Sequence, residues 1–393
     1  MNLPVNKIVC GDCLEVMRAW PSESVDCCVT SPPYWGLRDY GTATWEGGDA
    51  DCDHKEAKQK TRYDYSLASS KIQDGSRTGT DATVGSWKDV CPKCGAKRID
   101  RQLGLEKTPE EYVAKMVEIF AEVKRVLKDG GTLWLNLGDS YAGSGKGSNP
   151  DGTPHPATLT GKQGTHKGTI NGLHFPQKAS DIGLKPKDLC GIPWMVAFAL
   201  RADGWYLRQD IIWAKPNPMP ESVIDRCTKA HEYIFLMSKK AKYYCDMEAI
   251  KENSVDPESH NGRNKRNDDK FVGQPMSETR GGFSKIEAGT TYPTRNKRSV
   301  WTVATKPYSE AHFATFPPDL ITPCVLAGCP KGGVILDPFM GSGTTAVVSA
   351  QNGRNYVGCE LNPEYINLGR VEATETGVPV KESRVGQLAL FKA

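Results

Sequence analysis

A strand, a glycine-rich turn and a helix are predicted for the stretch VILDPFMGSGTT, residues 334–345. Glycines let the backbone approach a ligand closely, and the free N–H groups at a helix start bind acidic groups. Glu360 ends the next predicted strand, 19 residues after Gly341, at the spacing with which a carboxylate binds ribose hydroxyls. Thr344 and Thr345 occupy the region of the third glycine of the dinucleotide motif, and the lysine of a P-loop is absent. The pattern favours a ligand with a ribose and a carboxylate but no phosphate; the alternative is a structural turn.

The stretch TSPPYWGLRDYG, residues 30–41, places two prolines between a serine and two aromatic residues, directly after the apolar run VDCCVT. Proline cannot continue a buried strand, so the chain leaves the sheet there in a stiff conformation. The side chains of Ser31 and Tyr34 are therefore held in fixed positions at the edge of a sheet. Fixed positions of this kind favour a role in chemistry, and the alternative is a proline-rich strand exit with none.

Two pairs of metal-binding residues lie in DCDH and in CPKC. A Cys-x-His pair with a distant Cys-x-x-Cys-Gly is a closed set of four soft ligands, which suits structural zinc. A closed set leaves no position for a substrate, so the metal is expected to fold this segment rather than to catalyse. The alternatives are unligated residues in a loop, or a second Cys-x-x-Cys pair formed by Cys10 and Cys13. The four predicted ligands are Cys52, His54, Cys91 and Cys94.

Length and composition set the broad class. The 393 residues suffice for two domains or for one elaborated α/β domain, and the net charge of +3 is too small to indicate nucleic acid by itself. The N-terminal residues lack a signal-peptide pattern, and the longest apolar run, IPWMVAFAL, has about half the length of a membrane span. Thirteen cysteines, an odd number, predict free thiols in a reducing compartment. We therefore expect a cytoplasmic protein that does not enter a membrane.

Short β-rich runs alternate with helical patterns over much of the chain. NKIVCGD, SVDCCVTS, TLWLNLGD, HEYIFLMSK and GGVILD are typical of strands. PEEYVAKMVEIFAEVKRVLKDGG has apolar residues at helical spacing and an acidic start, which predicts a helix that ends at the two glycines. The alternation predicts a largely parallel sheet with helices on both faces. Three polar segments, 42–100, 142–187 and 251–299, lack this periodicity and are expected to be insertions or loops at the rim of the sheet.

Taken together, TSPPYWG, LDPFMGSGTT and GCELNPEY resemble the motifs of the amino-type DNA methyltransferases, which use S-adenosylmethionine. The catalytic tetrapeptide comes first and the cofactor loop last, as in the circularly permuted β group of that family. IVCGDCLEVM, IIWAKPNPMPESVIDRCTKAHEYIFLMSK and RSVWTVATKPYSEAHFATFPPDLI extend the resemblance over much of the chain. With the metal pattern, it implies a Rossmann-like, circularly permuted methyltransferase sheet with helices on both faces, a zinc-bearing insertion and polar DNA-facing loops.

The resemblance implies a role for each residue of the tetrapeptide. The lone pair of an exocyclic amine is delocalised into the base, so methyl transfer needs acceptors that take the hydrogens of the amine. The Ser31 side chain and the Pro32 carbonyl are those acceptors. Pro33 helps to stiffen the loop, and Tyr34 stacks on a base flipped out of the duplex. Cys324, in TPCV, is expected to pack in a helix rather than to act as a nucleophile.

The first residue of the tetrapeptide bears on the choice of base. Within the family, serine there is associated with methylation of the 4-amino group of cytosine, whereas Asp or Asn goes more often with the 6-amino group of adenine. We expect cytosine-N4 methylation, with adenine-N6 methylation as the alternative. A third hypothesis is a zinc-bearing nucleic-acid-binding protein that has lost catalysis.

The resemblance also implies cofactor and DNA contacts. Asp12 faces the adenine end of S-adenosylmethionine and Glu360 its ribose. The remaining predicted cofactor residues are Phe316, Asp337, Phe339, Gly341, Gly343 and Thr344. Binding to double-stranded DNA needs cations near phosphates. The candidates are Lys215, expected near the base pocket, and Arg295, Lys297 and Arg298 of RNKRS.

The expected domain organisation follows from these assignments. Residues 1–49, 101–250 and 300–380 together form one methyltransferase catalytic domain, and residues 50–100 form the zinc-binding insertion. Residues 142–187 form a glycine- and lysine-rich loop, and residues 251–299 are expected to recognise the target sequence. The expected cell is bacterial, archaeal or phage-infected, and a homodimer and a cognate restriction endonuclease are left open as partners.

Overall fold

The structure is a computed structural model that describes residues 2–36, 42–54, 90–142, 183–221, 223–254, 293–305 and 316–367. Within these residues the strands β1 to β12 are, in chain order, Lys7–Cys10, Val25–Thr30, Thr44–Glu46, Lys97–Ile99, Leu127–Leu137, Tyr206–Ala214, His231–Ser238, Glu252–Asn253, Thr294–Arg295, Val300–Thr302, Val334–Asp337 and Asn355–Glu360. The helices α1 to α6 are Cys13–Arg18, Pro109–Val126, Ile192–Ala202, Pro318–Gly328, Thr344–Gln351 and Pro363–Asn367, and a 3₁₀ helix spans Glu248–Ile250.

Eight of these strands form one sheet in the order β1-β12-β11-β2-β5-β7-β6-β10. Neighbouring strands are parallel except where β7 pairs antiparallel with β5 and with β6, which confirms the prediction of a largely parallel sheet. Loops that follow parallel strands meet at the carboxyl edge of a sheet, where ligands bind. Because β2 and β11 are neighbours, the two loops singled out in the sequence lie side by side at that edge.

Helix α2 is shorter than its sequence pattern predicts. A threonine N-cap, a proline and two glutamates start it, as is typical of a helix N-terminus. It ends at Val126, and β5 begins at the next residue, so the prediction of a helix that reaches the two glycines is wrong. Leu127 is fully buried and pairs with Val25 of β2, a contact between residues far apart in the chain. This pairing in the sheet outweighs the local helical pattern.

The core lies on both faces of the sheet, because side chains of a strand alternate between its two faces. Cys28 and Leu135 pack on one face with helices α1, α2 and α3. Cys27 and Trp134, their neighbours in sequence, pack on the other face with α4. The prediction of helices on both faces is therefore confirmed. Cys324 of α4 is buried in the second cluster and burial raises its pKa, so it packs, as predicted.

Two short antiparallel ribbons stand apart from the sheet, one formed by β3 and β4 and the other by β8 and β9. Large parts of the predicted polar segments, residues 55–89, 143–182 and 255–292, lie outside the described residues. The expectation that they form insertions or loops therefore stays a prediction. Among the helices that the structure describes, none is long and apolar enough to cross a membrane.

Candidate active site

A cavity of about 1450 Å³ opens at the carboxyl edge of the sheet. The tetrapeptide loop after β2 and the glycine loop after β11 both line it, so Ser31 and Tyr34 share one cavity with Gly341 and Glu360. Gly343, which was predicted with them, is the N-cap residue directly before helix α5 and has a φ of +84°. The other residues predicted at the cofactor also line the cavity, namely Asp12, Phe316, Asp337, Phe339 and Thr344.

Contacts from distant parts of the chain fix the tetrapeptide loop. The Tyr112 hydroxyl of α2 donates a hydrogen bond of 2.9 Å to the Pro33 carbonyl. Gly104 has a φ of +96°, and a Cβ there would lie 2.9 Å from the carbonyl oxygen of Tyr34. A Cβ on Gly138 would lie 2.6 Å from the Tyr34 ring. Neither glycine has room for a side chain, so both support the backbone and ring of Tyr34 at close range.

A chain of hydrogen bonds leads from Ser31 into the protein. The Tyr34 hydroxyl lies 2.8 Å from Glu232 Oε2, 3.2 Å from Asn136 Oδ1 and 3.4 Å from Ser31 Oγ. Desolvation and then the charge of Glu232 raise the pKa of Tyr34 well above its ordinary value, so its hydroxyl stays protonated. Its one hydrogen goes to the carboxylate, which is the nearest and strongest acceptor. The Tyr34 oxygen then accepts the hydrogen of Ser31, and the Ser31 lone pairs remain available in the cavity.

Lys215 completes this network. Its ammonium group forms an ion pair with Glu232 and lies 4.1 Å from the centroid of the Trp213 ring. Lys215 was predicted at the DNA, near the base pocket, and the structure places it on the wall of the cavity. Glu232 and Asn136 were not predicted. Their signal in the sequence is weak: Glu232 stands next to the run YIFLM of β7 and Asn136 within the run LWLNL of β5, and neither position differs from an ordinary polar residue in a strand.

The cofactor side of the cavity carries two carboxylates. Glu360 accepts hydrogen bonds of 2.8 Å from the amides of Gly341 and Asn362, one at each oxygen, and burial raises its pKa. Asp12 caps helix α1 and accepts hydrogen bonds from the amides of Leu14 and Glu15 at 3.0 and 3.1 Å. The Glu360 carboxylate thus fixes the glycine loop relative to the end of β12. Glu360 is the last residue of that strand, as its predicted role in binding a ribose requires.

Asp337 joins the two loops beneath the cavity. Its oxygens accept hydrogen bonds of 2.6 Å from the hydroxyls of Thr30 and Thr345, and one of 3.0 Å from the Phe339 amide. The residue is 1% exposed, and burial raises its pKa from 3.8 to about 6. Since Thr30 precedes the tetrapeptide and Phe339 lies in the glycine loop, this carboxylate sets their relative position. Its oxygens are directed to protein groups, although it was predicted at the cofactor.

The raised pKa of Asp337 makes a prediction about stability. The folded state binds the proton more tightly than the unfolded state, so the unfolding free energy should decrease as the pH rises from about 4 to about 6. An Asp337→Asn variant carries no charge and should lose this pH dependence. Its unfolding free energy at pH 7 should exceed that of the wild type by up to about 3 kcal/mol. Urea unfolding at several pH values measures this, and a variant that is less stable at pH 7 would contradict it.

The cations of RNKRS lie on or next to the ribbon formed by β8 and β9. The Nε atoms of Arg295 and Arg298 lie 2.9 and 3.2 Å from Glu252 Oε1. The Lys297 ammonium lies 5.2 Å from the centroid of the Trp301 ring. Each cation thus has a partner within the protein, and contact with DNA phosphates stays a prediction.

The four predicted metal ligands come together beside the ribbon formed by β3 and β4. Their ligand atoms all lie within 4.8 Å of one another. The sulfurs of Cys52 and Cys91 are 3.8 Å apart, and Cys94 Sγ lies 3.6 Å from His54 Nδ1. Hydrogen bonds from the backbone lower the pKa of the Cys94 thiol; the bond from Asp49 has the largest effect and the bond from Ala96 the next largest. The rival pair, Cys10 and Cys13, does not belong to this cluster.

Comparisons with known proteins place this chain in one class of enzymes, the DNA methyltransferases. A family model described as DNA methylase, of the N6/N4 type, matches residues 25–371. The chain therefore belongs to this family of S-adenosylmethionine-dependent enzymes, which methylate exocyclic amines of DNA bases.

Individual relatives cover nearly the whole chain. It is 40% identical over 370 residues to the Type II methyltransferase M.Cfr9I of Citrobacter freundii, a match that covers 94% of this chain and 88% of the relative. It is also 40% identical over 369 residues to the Type II methyltransferase M.SmaI of Serratia marcescens, with 94% and 91% covered. Among solved structures, the cytosine-N4-specific PvuII DNA methyltransferase is similar with a TM-score of 0.49 and 14% identity, over 93% of this chain and 86% of that one.

Proposed function

We propose that this chain methylates the 4-amino group of cytosine in double-stranded DNA, on a base flipped out of the duplex into the cavity. The observation that carries the proposal is the hydrogen-bond chain from Ser31 through Tyr34 to Glu232. It leaves the Ser31 oxygen available as an acceptor in the cavity that the glycine loop also lines. Serine at this position favours cytosine by its association within the family. The Type II relatives support a role in restriction–modification, beside a cognate endonuclease in the same cytoplasm.

The residues of the tetrapeptide act on the amine and on the base. Ser31 Oγ and the Pro32 carbonyl accept the two amine hydrogens, which aims the nitrogen lone pair and stabilises the positive charge that develops on nitrogen. The Tyr34 ring stacks on the flipped base. Because a serine hydroxyl is not a strong base at neutral pH, the amine loses its proton after the transfer. Glu232, in its ion pair with Lys215, ends the network as the acceptor of the Tyr34 hydrogen.

The other half of the cavity fits S-adenosylmethionine, which supplies the methyl group when bound. Each Glu360 oxygen accepts one backbone hydrogen bond and keeps a lone pair for a ribose hydroxyl. Asp12 faces the adenine end, and Phe316 and Phe339 offer apolar surface. A cavity of about 1450 Å³ exceeds the usual range for one ligand, so it has room for a cofactor together with a base.

The test of the proposal is the identity of the methylated nucleoside. Plasmid DNA is incubated with the protein and labelled S-adenosylmethionine, digested to nucleosides and separated. We expect the label in N4-methylcytosine. Label in N6-methyladenine would assign the chain to the alternative specificity. No label in DNA that the protein nevertheless binds would favour a zinc-bearing binding protein without catalysis.

We further propose the domain organisation and the circular permutation stated from the sequence. The catalytic domain comprises residues 1–49, 101–250 and 300–380, with the tetrapeptide loop before the cofactor loop in the chain, as in the permuted β group. Residues 251–299 recognise the target. Arg295, Lys297 and Arg298, at the end of that segment, supply cations for DNA phosphates.

The cluster of Cys52, His54, Cys91 and Cys94 supports structural zinc. Zinc lies about 2.3 Å from sulfur and 2.0–2.1 Å from nitrogen, so neighbouring ligand atoms in a tetrahedral site are about 3.3–3.8 Å apart. The measured 3.8 Å between two sulfurs and 3.6 Å between sulfur and nitrogen agree with this spacing. These residues would hold the metal, which would fix the ribbon next to the catalytic loop.

The zinc proposal predicts the metal content of two variants. Purified protein should contain one zinc ion per chain, and a Cys91→Ser variant should lose it, because a hydroxyl is a poor zinc ligand. A Cys227→Ser variant, which changes an exposed cysteine outside the cluster, should retain it. Elemental analysis after dialysis measures the content. Wild-type protein without zinc, or equal content in both variants, would contradict the proposal.

A further inference from the structure

A stiff loop at the rim of the cavity joins β6 to β7. It contains the sequence Pro-Met-Pro at residues 218–220. Pro218 fixes its own φ, and Pro220 restricts the backbone of Met219 to extended conformations. Just before them, the Asn217 side chain donates to the Thr305 carbonyl at 3.0 Å and accepts from the Thr305 amide at 2.9 Å. Met219 therefore projects from a backbone with little freedom.

The second half of the same loop is also fixed. Glu221 accepts hydrogen bonds from the Arg226 guanidinium at 2.6 Å and from the Lys229 amide at 3.2 Å, which closes the loop on itself. The Arg226 guanidinium lies 3.8 Å from the centroid of the Tyr141 ring. The Lys229 ammonium donates to the Asp139 carbonyl at 2.8 Å, beside the cavity. The loop thus resists displacement when a ligand presses on it.

Two large apolar side chains on this loop are exposed. Met219 is 84% exposed and Ile224 is fully exposed. Only Met219 lines the cavity, and among the described residues of its wall it is the one large apolar side chain exposed to solvent. Single exposed apolar residues are common on protein surfaces. A long, flexible thioether on a braced loop, exposed at the rim of the cavity, is a more specific arrangement.

We infer that Met219 enters the duplex and fills the space that the flipped base leaves. The inference rests on the proposed function, since a base must leave the stack to reach Ser31. Unstacking and unpairing a base is unfavourable, and an apolar side chain inserted between base steps restores part of the lost contact. Burial of Met219 in the stack also removes its apolar surface from water.

The test compares Met219→Ala with Ile224→Ala on two duplexes. The first duplex carries the sequence that the wild type methylates in plasmid DNA, and the second carries a mismatch opposite the target base, which is then already easy to flip. We expect Met219→Ala to lose roughly tenfold or more in kcat/KM on the paired duplex. Most of the activity should return on the mismatched duplex. The matched Ile224→Ala variant should behave as the wild type on both.

A second readout does not depend on methyl transfer. The target base is replaced by 2-aminopurine and the opposite base by thymine, so that the base pair is kept; the fluorescence of 2-aminopurine increases when it leaves the stack. We expect a strong increase with the wild type and with Ile224→Ala, and a weaker one with Met219→Ala at saturating protein. Equal fluorescence with all three proteins would overturn the inference. So would a loss for Met219→Ala that is the same on paired and mismatched DNA.

These outcomes separate the inference from the function on which it rests. A wild-type protein that methylates no DNA would refute the proposed function and, with it, the inference. An active wild type with a Met219→Ala variant equal to Ile224→Ala would refute the inference alone. The substitution removes an exposed side chain, so the fold should be unchanged.

Discussion

The Ser31→Ala variant is expected to transfer methyl groups roughly 10²- to 10³-fold more slowly than the wild type, as for the loss of one aligned hydrogen-bonding group in an active site. Alanine keeps the loop backbone and the Pro32 carbonyl but removes the hydroxyl acceptor. The amine then loses one of its two partners. S-adenosylmethionine should bind as before, because Gly341 and Glu360 lie on other loops. Single-turnover methylation of plasmid DNA and calorimetric binding of the cofactor measure the two quantities.

Ser24→Ala is the matched control for this variant. Ser24 lies at the opposite end of β2, where its hydroxyl donates to the Pro21 carbonyl at 2.8 Å. It should retain wild-type activity. Equal rates for the two variants would exclude Ser31 from the chemistry. Weakened cofactor binding in Ser31→Ala would instead mean that the tetrapeptide loop supports the cofactor site.

The two loops of the site could be predicted because each is defined by a short, local pattern. Proline stiffens a strand exit and glycine opens a tight turn whatever the rest of the chain does. Alternation of strands and helices then implies a parallel sheet, whose carboxyl edge brings such loops together. Ser31 and Glu360, each next to one of these loops, accordingly line one cavity. The Cys/His cluster could be predicted for the same reason, since the spacing of its residues is itself the signal.

The residues that complete the site depend on pairings between distant segments. Glu232 reaches Tyr34 because β7 lies antiparallel between β5 and β6. In this register Tyr233, the residue after Glu232, pairs with Leu137 of β5 and with Ile212 of β6. A single sequence contains no signal for that register. The same limit explains the wrong end of helix α2, where pairing of Leu127 with β2 prevails over the helical pattern. Sequence could therefore predict candidate catalytic residues, and only the assembled sheet identifies the side chains that contact and orient them.

The role of Tyr34 also depends on this assembly. From the sequence it is an aromatic ring for stacking on a base. In the structure its hydroxyl also links the serine to a carboxylate, while Gly138 gives its ring room. The donor direction within this link follows from the position of the negative charge, because the tyrosine hydrogen turns toward the carboxylate. Reversing the direction of these hydrogen bonds should make Ser31 a poorer acceptor without any substitution at Ser31 itself.

A Glu232→Gln variant makes this reversal. The glutamine amide can donate to the Tyr34 oxygen, and the Tyr34 hydroxyl then donates to Ser31, which occupies a lone pair that the amine needs. A charge-assisted hydrogen bond of about 1.5–3 kcal/mol corresponds to a decrease in rate of roughly 10- to 100-fold. Single-turnover methylation measures it, with cofactor binding as the internal control. A rate equal to that of the wild type would exclude the proposed direction of the hydrogen bonds.

The same variant also leaves Lys215 without its carboxylate partner, so it should lower the stability of the protein as well as the rate. A second substitution can separate these two effects. The side chains of Lys215 and Glu232 are 18% and 16% exposed, so the stranded charge should cost about 2–3 kcal/mol of unfolding free energy, somewhat less than in a fully buried pair. Adding Lys215→Met removes that charge while keeping a side chain of similar length. The double variant should recover most of the stability in urea unfolding but not the rate. If the rate returned together with the stability, Glu232 would be a structural residue, and the availability of the Ser31 oxygen would have to arise from another contact.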